Sequence, residues 1–219
     1  MIDEPELKPS ETLVSTLRHG LTELNRDKRV GGRLDVPLLE AGRQQARQAQ
    51  LRFGGTPLDV VISSPLQRAV ETAVIVTGWP AERILIDPLC LERSFGEMDG
   101  LTREQVEARF PEIRYLQIDH IGYSLNPPGG ESFEALRARA QHFFDQLLAQ
   151  HQGKRILVSS HQNFLQQLHG LILGRNPFDS LRTDLLNLEL NQFHLALDGA
   201  LIRSHRHVLV PDAAKHASF

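Results

Sequence analysis

Four short runs, residues 12–17, 58–63, 83–86 and 155–159, are nearly continuously apolar, the pattern of strands covered on both faces. Segments 39–53, 66–77, 132–150 and 163–173 instead repeat apolar residues three and four apart, as in Leu136, Ala140, Phe143 and Leu147, and are predicted helices. Strands and helices in alternation build βαβ units, whose parallel strands must be packed from both sides. This pattern restricts the chain to an α/β fold, a three-layer sandwich with a mostly parallel mixed central sheet and helices on both faces.

Thr102-Arg103-Glu104-Gln105 has the form of a capping box, so a further helix is predicted from Thr102 to near Phe110, where Pro111 follows. Residues 111–130 show no clear period, and 102–130 could form a cap or lid. Leu186, Leu188 and Leu190 alternate, the phase slips, and Phe193, Leu195 and Leu197 resume, which predicts a strand with a bulge near Asn191. Asp198-Gly199 then turns the chain into an antiparallel edge strand over 200–208. With no internal repeat or long linker, a single domain is expected over 11–210, between a flexible tail at 1–10 and another at 211–219.

Composition narrows the function classes. Against 27 Asp and Glu stand 24 Lys and Arg, a net charge of -3, so no basic surplus favours nucleic acid. One cysteine, Cys90, can form neither an internal disulfide nor a cysteine cage for zinc, which fits a reducing, cytoplasmic compartment. The acidic start MIDEPELKPS is unlike a signal peptide, and no apolar run approaches the roughly 18 residues that span a bilayer. Neither nucleic acid nor membrane is an expected partner. His205 and His207 alternate on one strand without a third ligand at a recognisable spacing, so they predict a surface or interface role and no metal.

The ends of the predicted strands carry the chemistry, because α/β folds build their sites there. The first ends in Arg18-His19-Gly20, the second leads to Arg68 in the first turn of a helix, the third to Glu92, and the fourth to His161. An imidazole can attack phosphorus, and a guanidinium can fork onto phosphate oxygens. Taken singly, each has an ordinary reading: a turn with solvated Arg18 and His19, or an Arg68 paired with Glu71 or Asp59 on the surface. Together they are the inventory for moving a phosphoryl group through a phosphohistidine.

In that order the chain resembles the histidine phosphatase superfamily, which includes the cofactor-dependent phosphoglycerate mutases. RHGLTELN is similar to its RHGxTxxN signature, SSPLQRAVETA to its SxLxRAxxTA segment, and GRLDVPL, LERSFGEMDG, PPGGES and VSSH continue the correspondence from about Thr12 to Ala200. The resemblance implies His19 as nucleophile, Arg18, Arg68 and His161 around the phosphoryl oxygens, and Glu92 as proton donor to the leaving group. It further implies Thr22, Asn25, Gln162 and Arg93 as substrate-binding residues, with no metal and no cofactor. Two departures stand out. Gln162 occupies the place of the family's usual glycine after the second histidine, and Met98-Asp99 replaces an aromatic and a longer acid.

The expected activity is metal-independent hydrolysis of a small-molecule phosphomonoester. The 69 positions from Glu92 to His161 are fewer than in the glycolytic mutases, and the basic pair those enzymes carry in their insertion is missing. Mutase-type phosphoryl transfer is the alternative, supported by Arg93 directly after Glu92. A non-catalytic phosphate or phosphoprotein binder on the same scaffold is the third reading.

Overall fold

A computed structural model describes residues 7–119 and 121–210; the expected tail at 211–219 and the first six residues of the tail at 1–10 lie outside the described residues. The strands are β1 (Glu11–Arg18), β2 (Val60–Ser63), β3 (Leu85–Ile86), β4 (Tyr115–Ile118), β5 (Ile121–Ser124), β6 (Arg155–Ser160), β7 (Glu189–Ala196) and β8 (Leu201–Val208). The helices are α1 (Glu23–Arg26), α2 (Glu40–Phe53), α3 (Gln67–Thr77), α4 (Arg103–Arg109), α5 (Phe133–His151), α6 (Gln162–Ile172) and α7 (Pro177–Ser180).

Six strands form one sheet in the order β3-β2-β6-β1-β7-β8. β3, β2, β6 and β1 are parallel, and β7 and β8 extend the sheet antiparallel. The apolar runs have the predicted cause: alternate side chains enter two separate cores. Val14, Ile62, Ile156 and Val158 face α5 and α6, with Leu136, Phe143, Phe164 and Leu168 in the same cluster. Leu17, Val61 and Leu157 face α2 and α3, joining Ala46, Phe53, Ala73 and Val76. Each fully buried aliphatic side chain contributes roughly 1.5–3 kcal/mol, so a strand covered on both faces is held twice over.

Helix ends follow local chemistry. α2 and α3 stop at Gly54 and Gly78, which take the left-handed conformation at φ 65 and 71. α4 starts on the predicted capping box, with Thr102 accepting from the Gln105 backbone and Gln105 accepting from the Thr102 backbone. No described helix is long and apolar enough to cross a membrane.

Two expectations need correction, and a stretch without a readable period takes shape. Of the run 83–86 only Leu85 and Ile86 pair, since Ala81–Arg83 coils into a 3-10 turn and the pair lies at the sheet edge, where one neighbour is missing. The bulge falls between His194 and Leu195, not near Asn191, and the alternation at Leu186 and Leu188 precedes the strand, Leu188 having φ 59. Residues 115–124 form a two-stranded antiparallel hairpin, Leu116 opposite Tyr123 and Ile118 opposite Ile121, reversing near Asp119 at φ 51. Four-residue strands are too short to show a period against their flanks.

Candidate active site

The parallel strands bring distant segments to one place. Past the ends of β1, β2 and β6 the ladder continues, with His19 N–H donating to Ser160 O and Ser64 N–H to Ser159 O, both at 3.0 Å. His19 and His161 therefore emerge side by side, their ring centroids 5.1 Å apart. The loop after His19 packs tightly on α2: a Cβ on Gly42 would lie 2.3 Å from Leu21 O.

His19 is 5% exposed and its Nδ1 lies 2.7 Å from Gly20 O. A carbonyl only accepts, so Nδ1 carries the proton and Nε2 holds a lone pair. Burial, and then the positive charges of Arg68 and Arg18, push the His19 pKa well below its ordinary 6.5. The same causes push His161 down, burial first and Arg68 next. Both rings are neutral at physiological pH.

Arg18 is buried, and its Nη1 donates to Leu185 O. Arg68, in the first turn of α3, donates through Nε to His161 Nδ1 at 3.3 Å, through Nη1 to Leu34 O at 2.6 Å and through Nη2 to Gly32 O at 2.8 Å. Burial lowers its pKa to about 10, partly offset by Glu92, Asp35 and Asp99, so it stays charged at pH 7. Thr22 caps α1 and forms a box with Asn25: Thr22 N–H and O–H both donate to Asn25 Oδ1, at 3.1 and 2.9 Å.

Glu92 completes the group. The residue at the N-cap of α6, His161, makes no side-chain cap bond, and the Glu92 carboxylate takes that place. Asn163 N–H donates to Glu92 Oε2 at 3.2 Å, and Phe164 N–H and Arg93 N–H donate to Oε1 at 3.2 and 2.7 Å. The unpaired amides at the helix N-terminus thus fix both carboxyl oxygens in position. The segment bearing Glu92 is clamped from behind by Arg139 of α5, which donates to Leu89 O at 2.7 Å and Leu91 O at 2.8 Å and forks onto Glu131 at 2.8 and 2.7 Å. Gly96, at φ 57, lets this loop meet the PPGGES segment, since a Cβ there would lie 2.1 Å from Pro128 O.

Arg18, His19, Thr22, Asn25, Arg68, Glu92 and Gln162 line one open cleft. His161 stands behind them against His19 and donates to Ser64 Oγ at 2.8 Å. Arg93, expected at the substrate, is fully buried beside Ser124 and Phe95 of the lining, and its Nη2 has no hydrogen-bond partner among the described residues. Its Nε donates to Glu131 O at 2.8 Å and its Nη1 to Ser124 O at 2.9 Å, with the guanidinium 3.8 Å from the Phe133 ring centroid. Arg29, Phe95, Tyr115, Tyr123 and Asn163 also line the cleft and were not singled out from sequence. A hint existed in composition: Tyr115 and Tyr123 are the chain's two tyrosines. The Tyr123 hydroxyl pairs with Gln162, accepts from Gln166 Nε2 at 2.9 Å and donates to Leu181 O at 3.0 Å, tying the hairpin to α6. Among the described residues no three or more His, Cys, Asp or Glu cluster as metal ligands.

The family model that matches, over residues 14–207, is that of the histidine phosphatase superfamily (branch 1). A bifunctional protein of Mycobacterium tuberculosis is 36% identical over 196 residues, 86% of this chain and 52% of its own length, so the chain spans about half of that relative. A 2,3-bisphosphoglycerate-dependent phosphoglycerate mutase of Azorhizobium caulinodans is 30% identical over 207 residues, covering 91% of this chain and 100% of the mutase. Among solved structures, a mycobacterial glucosyl-3-phosphoglycerate phosphatase with VO3 superposes with TM-score 0.71 at 26% identity, covering 90% of this chain and 97% of that one. A phosphoserine phosphatase of Entamoeba histolytica, TM-score 0.76 at 23% identity over 90% of this chain and 98% of its own, shares the fold.

Proposed function

The chain belongs to the histidine phosphatase superfamily, and from that premise we propose that it hydrolyses small phosphomonoesters through a phosphohistidine formed on His19. The observation that carries this reading is the Nδ1 bond of His19 to Gly20 O, which leaves a lone pair on Nε2 of a neutral imidazole in a cleft lined by Arg18 and Arg68. In the first step the Nε2–P bond forms as the ester P–O bond breaks, and Glu92 gives its proton to the departing oxygen. In the second step water attacks phosphorus, Glu92 takes the water's proton, and the N–P bond breaks to release inorganic phosphate. Arg18 and Arg68 are fixed before reaction and stabilise the charge on the equatorial oxygens, a role that in other phosphoryl-transfer sites falls to metal ions. Asn25 is assigned to the same oxygens, with Thr22 holding it in register, and His161 would join them by exchanging its Nε2 bond to Ser64 Oγ for a phosphoryl oxygen. Gln162 meets the substrate beyond them.

Acid-quench experiments with labelled substrate test this directly. Wild type should trap an acid-labile, base-stable label that His19→Ala does not, and turnover should survive chelation. A second reading, phosphoryl transfer to a hydroxy acid, is favoured by the identity to the A. caulinodans mutase. It predicts 3-phosphoglycerate isomerisation, with 2,3-bisphosphoglycerate added, faster than phosphate release.

A further inference from the structure

The carbonyl that holds the His19 ring belongs to Gly20, the residue type whose backbone rotates most freely. Its peptide groups must therefore be gripped from outside. The His19 N–H donates to Ser160 O and the Gly20 N–H to Thr72 Oγ1, both at 3.0 Å. One side chain serves the two carbonyls: Asn187 Nδ2 donates to His19 O at 2.6 Å and to Gly20 O at 3.4 Å.

Asn187 lies 168 positions from His19, just ahead of β7, and is 4% exposed. Its orientation follows from its partners, since carbonyls only accept and the nitrogen end of the amide must face them. The oxygen end, Oδ1, is then buried with no hydrogen-bond partner among the described residues. An apolar side chain would avoid that orphaned acceptor, so the donor is what this place requires of its residue.

The segment around Asn187 is seated on β1 by its own bonds. Leu188 N–H donates to Arg18 O at 3.0 Å, and Arg18 Nη1 donates back to Leu185 O. The buried Glu189 carboxylate accepts from Leu186 N–H at 3.1 Å and from Arg206 Nη2 at 2.6 Å. Leu188 takes φ 59, a left-handed conformation disfavoured for leucine, and the bonds on either side hold it there.

We propose that Asn187 is a positioning residue for the nucleophile: it keeps the Gly20 carbonyl on Nδ1 of His19 and so keeps the ring's lone pair on Nε2. This rests on the phosphohistidine reading for the role of His19, but the tautomer can be measured without substrate. Two-bond 1H–15N correlation spectra of protein labelled at histidine nitrogens, with His19 identified by the signals lost in His19→Gln, should show wild-type His19 protonated on Nδ1 and bare on Nε2. Asn187→Leu, similar in volume but without a donor, should draw the two nitrogen shifts together. It should also lower kcat by about 10- to 100-fold with KM changed by less than about 3-fold, because the phosphate donors stay in place and only the attacking atom is misplaced. Asn187→Ser, which keeps a hydroxyl donor, should fall between wild type and the leucine variant in both measurements.

Wild-type His19 protonated on Nε2 overturns the proposal even if no variant folds. So does Asn187→Leu with the wild-type tautomer, whatever its kcat, and so does a serine variant no better than the leucine one. Absence of label on His19 in the acid-quench experiment would instead remove the phosphatase reading and leave the tautomer result standing.

Discussion

Arg68 donates through Nε to Nδ1 of His161 at 3.3 Å, across 93 positions of sequence, so that imidazole keeps its proton on Nε2, 2.8 Å from Ser64 Oγ. The same guanidinium holds Leu34 O and Gly32 O, and thus sets the tautomer of one ring and the position of one loop together. A lysine at 68 would supply charge without the planar fork. Arg68→Lys should lower kcat/KM by about 10²–10³, as when one transition-state donor is lost. Steady-state kinetics on p-nitrophenyl phosphate, with vanadate inhibition weakened in parallel, checks it; activity near wild type would show that charge alone suffices.

Glu92→Gln keeps an oxygen acceptor for the α6 amides but cannot donate as a carboxylic acid does. Turnover of alkyl phosphates should fall by about 10²–10⁴, with a much smaller loss on p-nitrophenyl phosphate, whose leaving group needs no proton. Equal losses on both would take Glu92 out of the proton-transfer step.

Arg139 holds the carbonyls of Leu89, Leu91 and Glu92 from behind the cleft. Arg139→Lys should therefore repeat the leaving-group dependence of Glu92→Gln in weaker form, roughly 10- to 100-fold on alkyl esters, because misplacement of about 1 Å is costly. A loss independent of leaving group would mark a purely structural role.

Acid stability has a defined sign. His169 is buried, lies 2.8 Å from Thr16 Oγ1, and burial lowers its pKa from 6.5 to about 3, while His19 and His161 are shifted the same way. Below pH 6.5 the unfolded chain takes up protons that the folded chain refuses, so stability falls as pH drops from 6.5 toward 3. Each such ring contributes up to ~1.4 kcal/mol per pH unit. Urea midpoints should decline steeply from pH 7 to pH 5, and a flat profile there would contradict the buried neutral rings.

Cys90 is fully buried, its thiol donates to Asp87 O at 3.1 Å, and burial pushes its pKa up. It should resist a disulfide reagent in the native protein and react once per chain in guanidinium. Native reactivity at the unfolded rate would mean that the loop before Glu92 opens freely.

Local pattern sufficed wherever neighbours in sequence decide the outcome. The apolar runs of β1, β2 and β6 and the three-to-four spacing of α2, α3, α5 and α6 made the layered α/β fold legible, since burial on two faces leaves a composition that no loop needs. The Thr102 capping box was equally readable, all its bonds lying within four residues. Other features depend on partners far along the chain. Arg93 follows Glu92 in sequence, but what its guanidinium reaches depends on the carbonyls of Ser124 and Glu131, 31 and 38 positions away, which take its Nη1 and Nε. The bulge at His194 and the hairpin over 115–124 likewise answer to register and to the core beneath them. Residue types and their order determined the chemistry the chain can offer, because imidazole, guanidinium and carboxylate carry it wherever they sit. Only tertiary packing decided which of those groups face the cleft, because a side chain's direction is settled by the donors and acceptors that long-range contacts put within its reach.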